Sequence, residues 1–311
     1  MPILQLLVFL GSFVMIWYGA GKVVSAADKF SHKLKVSSFT FSFLVLGILT
    51  STPEFAVGLT AVAEDRPEIY VGNLIGGIPV LFLFIIPILA VFGNGLTLKK
   101  SISKKNLLIA FITMLLPALF VLDGSITVWE SIISIVAYLL LAFFIQKENG
   151  VLDDGNKALF SVKSYSIKDL LQVFFGIGLV FVASHYIVDG TRYIAEQFNF
   201  STFFVSLILL SLGTNLPEIS LAVKAIITKK KEVAFGDYVG SGAANTLLFG
   251  FFGIIYGKTA FISENITLAF ITLVVGLFLF FIFASSKSEL SRKEGLILIA
   301  LFLAFGAIEA L

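Results

Sequence analysis

Two short stretches hold the residues best suited to chemistry: T-S-T-P-E at 50–54 and T-N-L-P-E at 214–218. Each sets polar side chains, a proline and a glutamate inside an otherwise apolar run. Proline has no N–H, so Pro53 and Pro217 free carbonyls about one turn earlier, near 47–49 and 211–213. In hydrocarbon those oxygens need partners. A hydroxyl bonded back to its own helix satisfies them and leaves a simple kink; a bound cation satisfies them equally well. The carboxylates favour the cation, because an ionisable group at mid-span costs at least about 2.5–3.5 kcal/mol on insertion scales and is rare there without a function. Here there are two, Glu54 and Glu218. A hard cation such as Ca²⁺ takes about six to eight oxygens, which two bidentate carboxylates with freed carbonyls and hydroxyls can supply.

The surroundings of the two stretches also match. Residues 37–77 align without a gap on 201–241, and Thr50/Thr214, Pro53/Pro217, Glu54/Glu218, Gly72/Gly236 and Gly76/Gly240 are all 164 residues apart. Within each copy the segment after the glutamate is glycine-rich, V-G-N-L-I-G-G at 71–77 and F-G-D-Y-V-G-S-G-A-A-N-T at 235–246, which permits close helix approach. Spaced as i, i+4 and i+8 on one helix face, the second copy presents Asp237, Ser241 and Asn245 where the first has Asn73, Gly77 and Leu81. Ser241 and Asn245 are therefore candidate site residues. Asp237, one turn farther out, either gates the path to the site or serves a helix-start or inter-helix role.

Positioning these groups requires membrane helices. Of the 311 residues, 58% are hydrophobic and 14% charged, and the mean hydropathy is +1.01, far from the soluble range of about 45–50% apolar and about 25% charged. The weak ten-residue alternation of a membrane barrel is absent. Stretches of about 20 apolar residues predict ten spans, at 3–30, 38–63, 69–93, 105–122, 126–146, 168–196, 202–228, 233–255, 263–284 and 294–310. The first run has no basic flank or cleavage site and reads as a span. The expected fold is all-α: an N-terminal five-helix repeat (1–146), a polar cytoplasmic linker (147–167) and a C-terminal five-helix repeat (168–311). An odd number of spans per copy makes the two repeats inverted, the arrangement that places a transporter site near the midplane. Lys and Arg cluster in alternate loops, at 22–35, 99–105, 147–168, 224–231 and 287–293, which predicts both termini outside a cell membrane. The lipid bilayer and transported cations are the expected partners, and nucleic acid is not. Without cysteine, disulfides and thiolate metal sites are excluded.

These motifs resemble those of the calcium/cation antiporter superfamily, which includes the sodium/calcium exchangers and carries two inverted repeats with G-T-S-x-P-E-type and G-N-x-x-G-S-type motifs. The resemblance implies Glu54 and Glu218 as central cation ligands, Thr50 and Ser51 as the first motif's hydroxyls, Thr214 as the second copy's threonine and Ser241 as its serine. Four positions depart from the pattern: Leu49 replaces a glycine, Asn215 a serine, Gly77 a serine and Leu81 an asparagine; Asn245 stands where the family has an acidic residue or asparagine. Asn215 and Asn245 remain candidates as amide ligands. The expected activity is secondary active antiport of Ca²⁺ for Na⁺, with H⁺-coupled exchange as the alternative, because the missing serine and asparagine lower the supply of oxygens for several Na⁺ ions. No resident cofactor is expected. Alternating access would come from the long first and sixth spans moving against the other eight. Enzymatic use of the carboxylates, as in intramembrane aspartyl proteases, fits poorly with glutamates on proline-broken helices, and tight anionic ligands disfavour a channel. His185 and Asp189 read as structural, and Glu64, Asp65 and Glu68 as a solvated turn or a cation-concentrating loop.

Overall fold

Apolar runs with their backbone bonds closed internally form helices, and a computed structural model of the chain has that character throughout its described residues, 2–31, 42–97, 102–149, 167–228, 231–286 and 289–309. The helices are α1 (Pro2–Ser31), α2 (Gly47–Thr50), α3 (Thr52–Ala63), α4 (Pro67–Pro79), α5 (Ile86–Phe92), α6 (Lys104–Phe120), α7 (Val128–Asn149), α8 (Ile167–Phe198), α9 (Thr202–Val205), α10 (Ser211–Thr214), α11 (Leu216–Thr228), α12 (Lys231–Tyr256), α13 (Thr267–Ser286) and α14 (Arg292–Glu309). Most of the expected linker, and parts of the basic clusters at 22–35, 99–105, 224–231 and 287–293, lie outside the described residues.

Among the described residues, seven helical stretches are long and apolar enough to cross a membrane. Two further pairs meet the same criterion jointly: the stretch ending at Thr50 with α3, bent by 50°, and 202–214 with α11, bent by 42°. The segment expected as the last span is helical, as α14, but Arg292, Lys293, Glu294 and Glu309 put charge at both of its ends. Two antiparallel strand pairs, β1 (Leu96–Thr97) with β4 (Glu289–Leu290) and β2 (Ser125–Ile126) with β3 (Ala260–Phe261), tie neighbouring loops together. They are two residues long and lie where helices end, so a hydropathy pattern carries no sign of them.

The repeat seen in the sequence is repeated in backbone geometry. A π-helical segment at Ser42–Leu46 leads into α2, and another at Ser206–Leu210 leads into α10, 164 residues later. Ser51 and Asn215 then interrupt the helices at the same offset, and α3 and α11 resume with Pro53 and Pro217 as their second residues. A π-segment widens one turn and is common at functional sites. Each bent rod packs on the glycine-rich helix of the other copy. A Cβ on Gly76 would strike the Leu207 carbonyl, and one on Gly240 would strike the carbonyl of Phe43, which is 164 residues before Leu207. The glycines thus let backbone lie against backbone. One asymmetry is visible here: α4 ends at Pro79, whose missing donor is followed by a π-segment at Val80–Ile85, whereas α12 continues unbroken past the equivalent Ala243.

α1 and α8 lie side by side at the edge. Gly19 of α1 abuts Gly176 and Val180, while Phe9 abuts Gly190, so the two helices run in opposite directions. Phe13 also covers Gly213, and Trp17 hydrogen-bonds Ser220, which attaches α1 to the second bent rod.

Candidate functional site

The two helix breaks bring their polar residues into one buried cluster. Glu54 is 2% exposed and Glu218 fully buried, although neither has a cationic partner among the described residues. The two carboxylates lie within electrostatic reach of each other. Each glutamate has one oxygen bonded and one without a partner: Asn215 Nδ2 donates to Glu54 Oε1 at 3.3 Å and Ser241 Oγ to Glu218 Oε1 at 3.0 Å, while both Oε2 atoms are unpaired. The threonines cross over, with the Thr214 hydroxyl beside Glu54 and the Thr50 hydroxyl beside Glu218.

The crossing continues into the partner helices. Thr50 Oγ1 donates to Asp237 Oδ1 at 3.2 Å, and Thr214 Oγ1 donates to Asn73 Oδ1 at 3.1 Å. Thr50 and Thr214, like Asn73 and Asp237, are 164 residues apart, so one contact repeats the other with the copies exchanged. Beyond this the two sides differ. On the second copy's helix, Ser241 Oγ lies 2.8 Å from Thr50 Oγ1 and 3.3 Å from the Gly47 carbonyl. Gly77, its counterpart, has no side chain with which to do the same.

The carbonyls left by the helix breaks are occupied as the residue types suggest. Gly47 O accepts Ser51 Oγ at 2.7 Å, Leu49 O accepts Thr52 Oγ1 at 2.6 Å, and Ser211 O accepts Asn215 Nδ2 at 2.8 Å. Back-bonded hydroxyls therefore satisfy the kink, yet the unpaired carboxylate oxygens remain, so the kink alone does not account for the cluster. Ser51 also lines an apolar cavity of about 210 Å³ beside Phe55 and Leu248.

Glu54, Glu218, Thr50, Thr214, Asn215 and Ser241 thus come together. Asn245 stands slightly apart: its Nδ2 donates to Leu74 O at 3.0 Å and ties α12 to α4. Two participants carried weaker sequence signals. Asp237 is bonded directly into the cluster, as its place one turn before Ser241 on the same face allows. Tyr238 donates to the Glu218 carbonyl at 3.3 Å, and nothing in its local sequence marks that role. Among the described residues no three His, Cys, Asp or Glu side chains come close enough together to hold a metal ion by themselves. A cation here would take much of its shell from hydroxyls, amides and carbonyls.

The acidic turn beyond α3 is tied into its surroundings. His185 Nδ1 and Glu64 Oε1 are 2.9 Å apart, and Asp65 meets Lys258 at 2.8 Å and Tyr256 at 2.7 Å. Lys258 and Tyr256 hold the Asp65 carboxyl below its usual range.

A family model described as "sodium/calcium exchanger protein" matches residues 4–146 and 168–309. The chain is similar to the sodium/calcium exchanger MaX1 of Methanosarcina acetivorans, 22% identical with 96% of each chain covered. It is also similar to an uncharacterized membrane protein of Methanocaldococcus jannaschii, 24% identical over 95% of this chain and 94% of that one. Among solved structures, one of the sodium-calcium exchanger NCX_Mj soaked with Na⁺ and Sr²⁺ superposes with a TM-score of 0.71 at 23% identity, covering 99% of both chains. That likeness establishes a shared fold.

Proposed function

Because the chain belongs to the sodium/calcium exchanger family, it is a multi-pass membrane transporter and not an enzyme, and we propose that it exchanges Ca²⁺ for Na⁺ around Glu54 and Glu218. The observation that carries this reading is the pair of buried glutamates on two matching helix breaks, each with one oxygen unpaired and each beside the other copy's threonine. In this reading both carboxylates hold the cargo, Thr50, Thr214 and Ser241 supply hydroxyls, and Asn215 and Asn245 orient their neighbours or contribute amide oxygens. Ser51 braces the Gly47 carbonyl.

Ten spans in two inverted five-helix repeats, 1–146 and 168–311 joined by a cytoplasmic linker, complete the proposal, with both termini outside the cell membrane. The antiparallel course of α1 and α8, which occupy equivalent places in the two copies, supports inversion. So does the crossed pairing of Thr50 with Asp237 and Thr214 with Asn73.

Exchange follows from electrostatics. Two ionised glutamates in an empty, closed site would leave uncompensated charge in low dielectric, at a cost of several kcal/mol per ion. The carrier therefore changes conformation when loaded and resists doing so when empty. α1 and α8, packed on each other at the edge, are the elements positioned to move against the remainder. H⁺ coupling is the second reading, favoured by one observation: Gly77 and Leu81 leave the first copy's helix without side-chain oxygens at those positions, which reduces its capacity for several Na⁺ ions.

The test is ⁴⁵Ca²⁺ uptake into proteoliposomes. Uptake driven by an outward Na⁺ gradient and insensitive to a pH gradient supports Na⁺ coupling, and the reverse pattern supports H⁺. Downhill uptake with neither counter-ion present would reject obligatory exchange.

A further inference from the structure

Asp237 is a buried carboxylate that the paired-glutamate reading leaves unused. It is 0% exposed, its Oδ1 accepts from Thr50, and its Oδ2 has no partner. The equivalent residue of the first copy is the neutral Asn73. Asp237 also belongs to a connected set of oxygens. Thr50 Oγ1 lies 2.8 Å from Ser241 Oγ, which reaches Glu218 Oε1 at 3.0 Å and the Gly47 carbonyl at 3.3 Å. The Glu218 Oε2 is unpaired as well. On the opposite side the same positions are Asn73, Gly77, Thr214, Glu54 and the Ser211 carbonyl, with one carboxylate and one hydroxyl fewer.

The three carboxylates do not converge on one point, since no group of three acidic side chains close enough for a metal ion occurs among the described residues. Asp237 is therefore not a third ligand to an ion held between Glu54 and Glu218. We propose that Asp237, Glu218, Thr50, Ser241 and the Gly47 carbonyl form a monovalent-cation subsite beside the paired-glutamate position, present on this side of the site alone. The proposal rests on the reading of Glu54 and Glu218 as the cargo site.

Charge balance supports it. The glutamate pair is neutralised by one divalent cation, which leaves the ionised Asp237 as an unpaired buried charge. One monovalent cation beside the divalent removes that excess, whereas a buried charge left without a partner is strongly unfavourable. The donor set also fits: five groups fall short of the roughly six to eight oxygens that Ca²⁺ takes. Both cations share Glu218, so each should bind better with the other present.

Equilibrium ⁴⁵Ca²⁺ binding to the purified full-length protein, titrated with NaCl, KCl or choline chloride at constant ionic strength, tests this. The expected result is a several-fold rise in Ca²⁺ affinity at low Na⁺ or K⁺ relative to choline, with the more effective salt identifying the ion. Asp237→Asn should abolish the rise and leave monovalent cations acting only as competitors. Ser241→Ala, which removes a neutral ligand of the same subsite, should weaken the rise without abolishing it, and guards against misfolding of the first variant. No enhancement in the wild type, or the same enhancement in Asp237→Asn, overturns the subsite. Failure of the paired-glutamate reading has a different signature: Ca²⁺ binding that survives in Glu54→Gln or Glu218→Gln.

Discussion

The glycine-rich helices α4 and α12 do the same mechanical work with different chemistry. Each lays a glycine face on the other copy's bent rod, Gly76 on Leu207 and Gly240 on Phe43, at equivalent positions. Each also places a polar residue against the opposite threonine, Asn73 at Thr214 and Asp237 at Thr50. Beyond that, α12 contributes Ser241 to the cluster, and α4 contributes Gly77, Leu81 and a proline that distorts its next turn into a π-segment. The backbone contacts are duplicated because both copies need the same close approach. The ligand chemistry has diverged because the two sides of the cluster need not be alike.

Altering the shared part should do most damage. Gly76→Ala and Gly240→Ala each force a methyl group onto a backbone carbonyl that cannot turn aside, an overpacking cost of about 1–3 kcal/mol or more. Both should reduce the yield of folded protein and its melting temperature to a similar degree. Tolerance of one and not the other would break the mechanical equivalence of the two helices.

The unlike part can be probed by exchange. Ser241→Ala leaves Thr50 and Glu218 each one hydrogen bond short in a buried site, a cost of about 1–3 kcal/mol that should lower Ca²⁺ transport roughly tenfold in a flux assay. Gly77→Ser restores the sequence symmetry but should not restore function, because a Cβ there would lie 2.5 Å from Asn245 Nδ2. Its melting temperature should fall, and Gly77→Ser combined with Asn245→Ala should recover part of the loss. If the single variant is as stable as wild type, the asymmetry is not built into the packing.

Smaller effects are expected farther from the carboxylates. Asn245→Leu, copying Leu81, removes the donor to the Leu74 carbonyl, and thermal unfolding should register a loss of about 1–3 kcal/mol. Pro79→Ala, copying Ala243, returns a backbone donor and should change stability by less than about 1 kcal/mol. Hydrogen exchange should then find added protection in residues 80–85.

Much of this arrangement was legible in the sequence because a repeat at constant offset is independent of any single motif. Glu54, Glu218, Thr50, Thr214, Asn215 and Ser241 meet where the alignment of T-S-T-P-E on T-N-L-P-E implies. The bends follow from Pro53 and Pro217. Other features depend on contacts between segments distant in the chain. The crossing of Thr50 to Asp237 needs two helices 187 residues apart in register, so helix-face spacing alone left Asp237 at the edge of the site. Asn245 was legible as a polar residue on the correct face, but its bond to Leu74 depends on how closely α4 approaches. The π-segments before each break have no residue signature, since they arise where a rod must rotate its face within one turn. The last expected span, α14, carries charges at both ends, which length and hydropathy alone do not weigh.

The claim on which the rest depends is that one site is built from both copies. Counter-ion-driven ⁴⁵Ca²⁺ uptake by proteoliposomes of wild type, Glu54→Gln and Glu218→Gln measures it directly. Both substitutions keep the size of the side chain and remove one carboxylate. The account predicts gradient-driven uptake in wild type and its loss in both variants at matched amounts of folded protein. Wild-type uptake in either variant would contradict it.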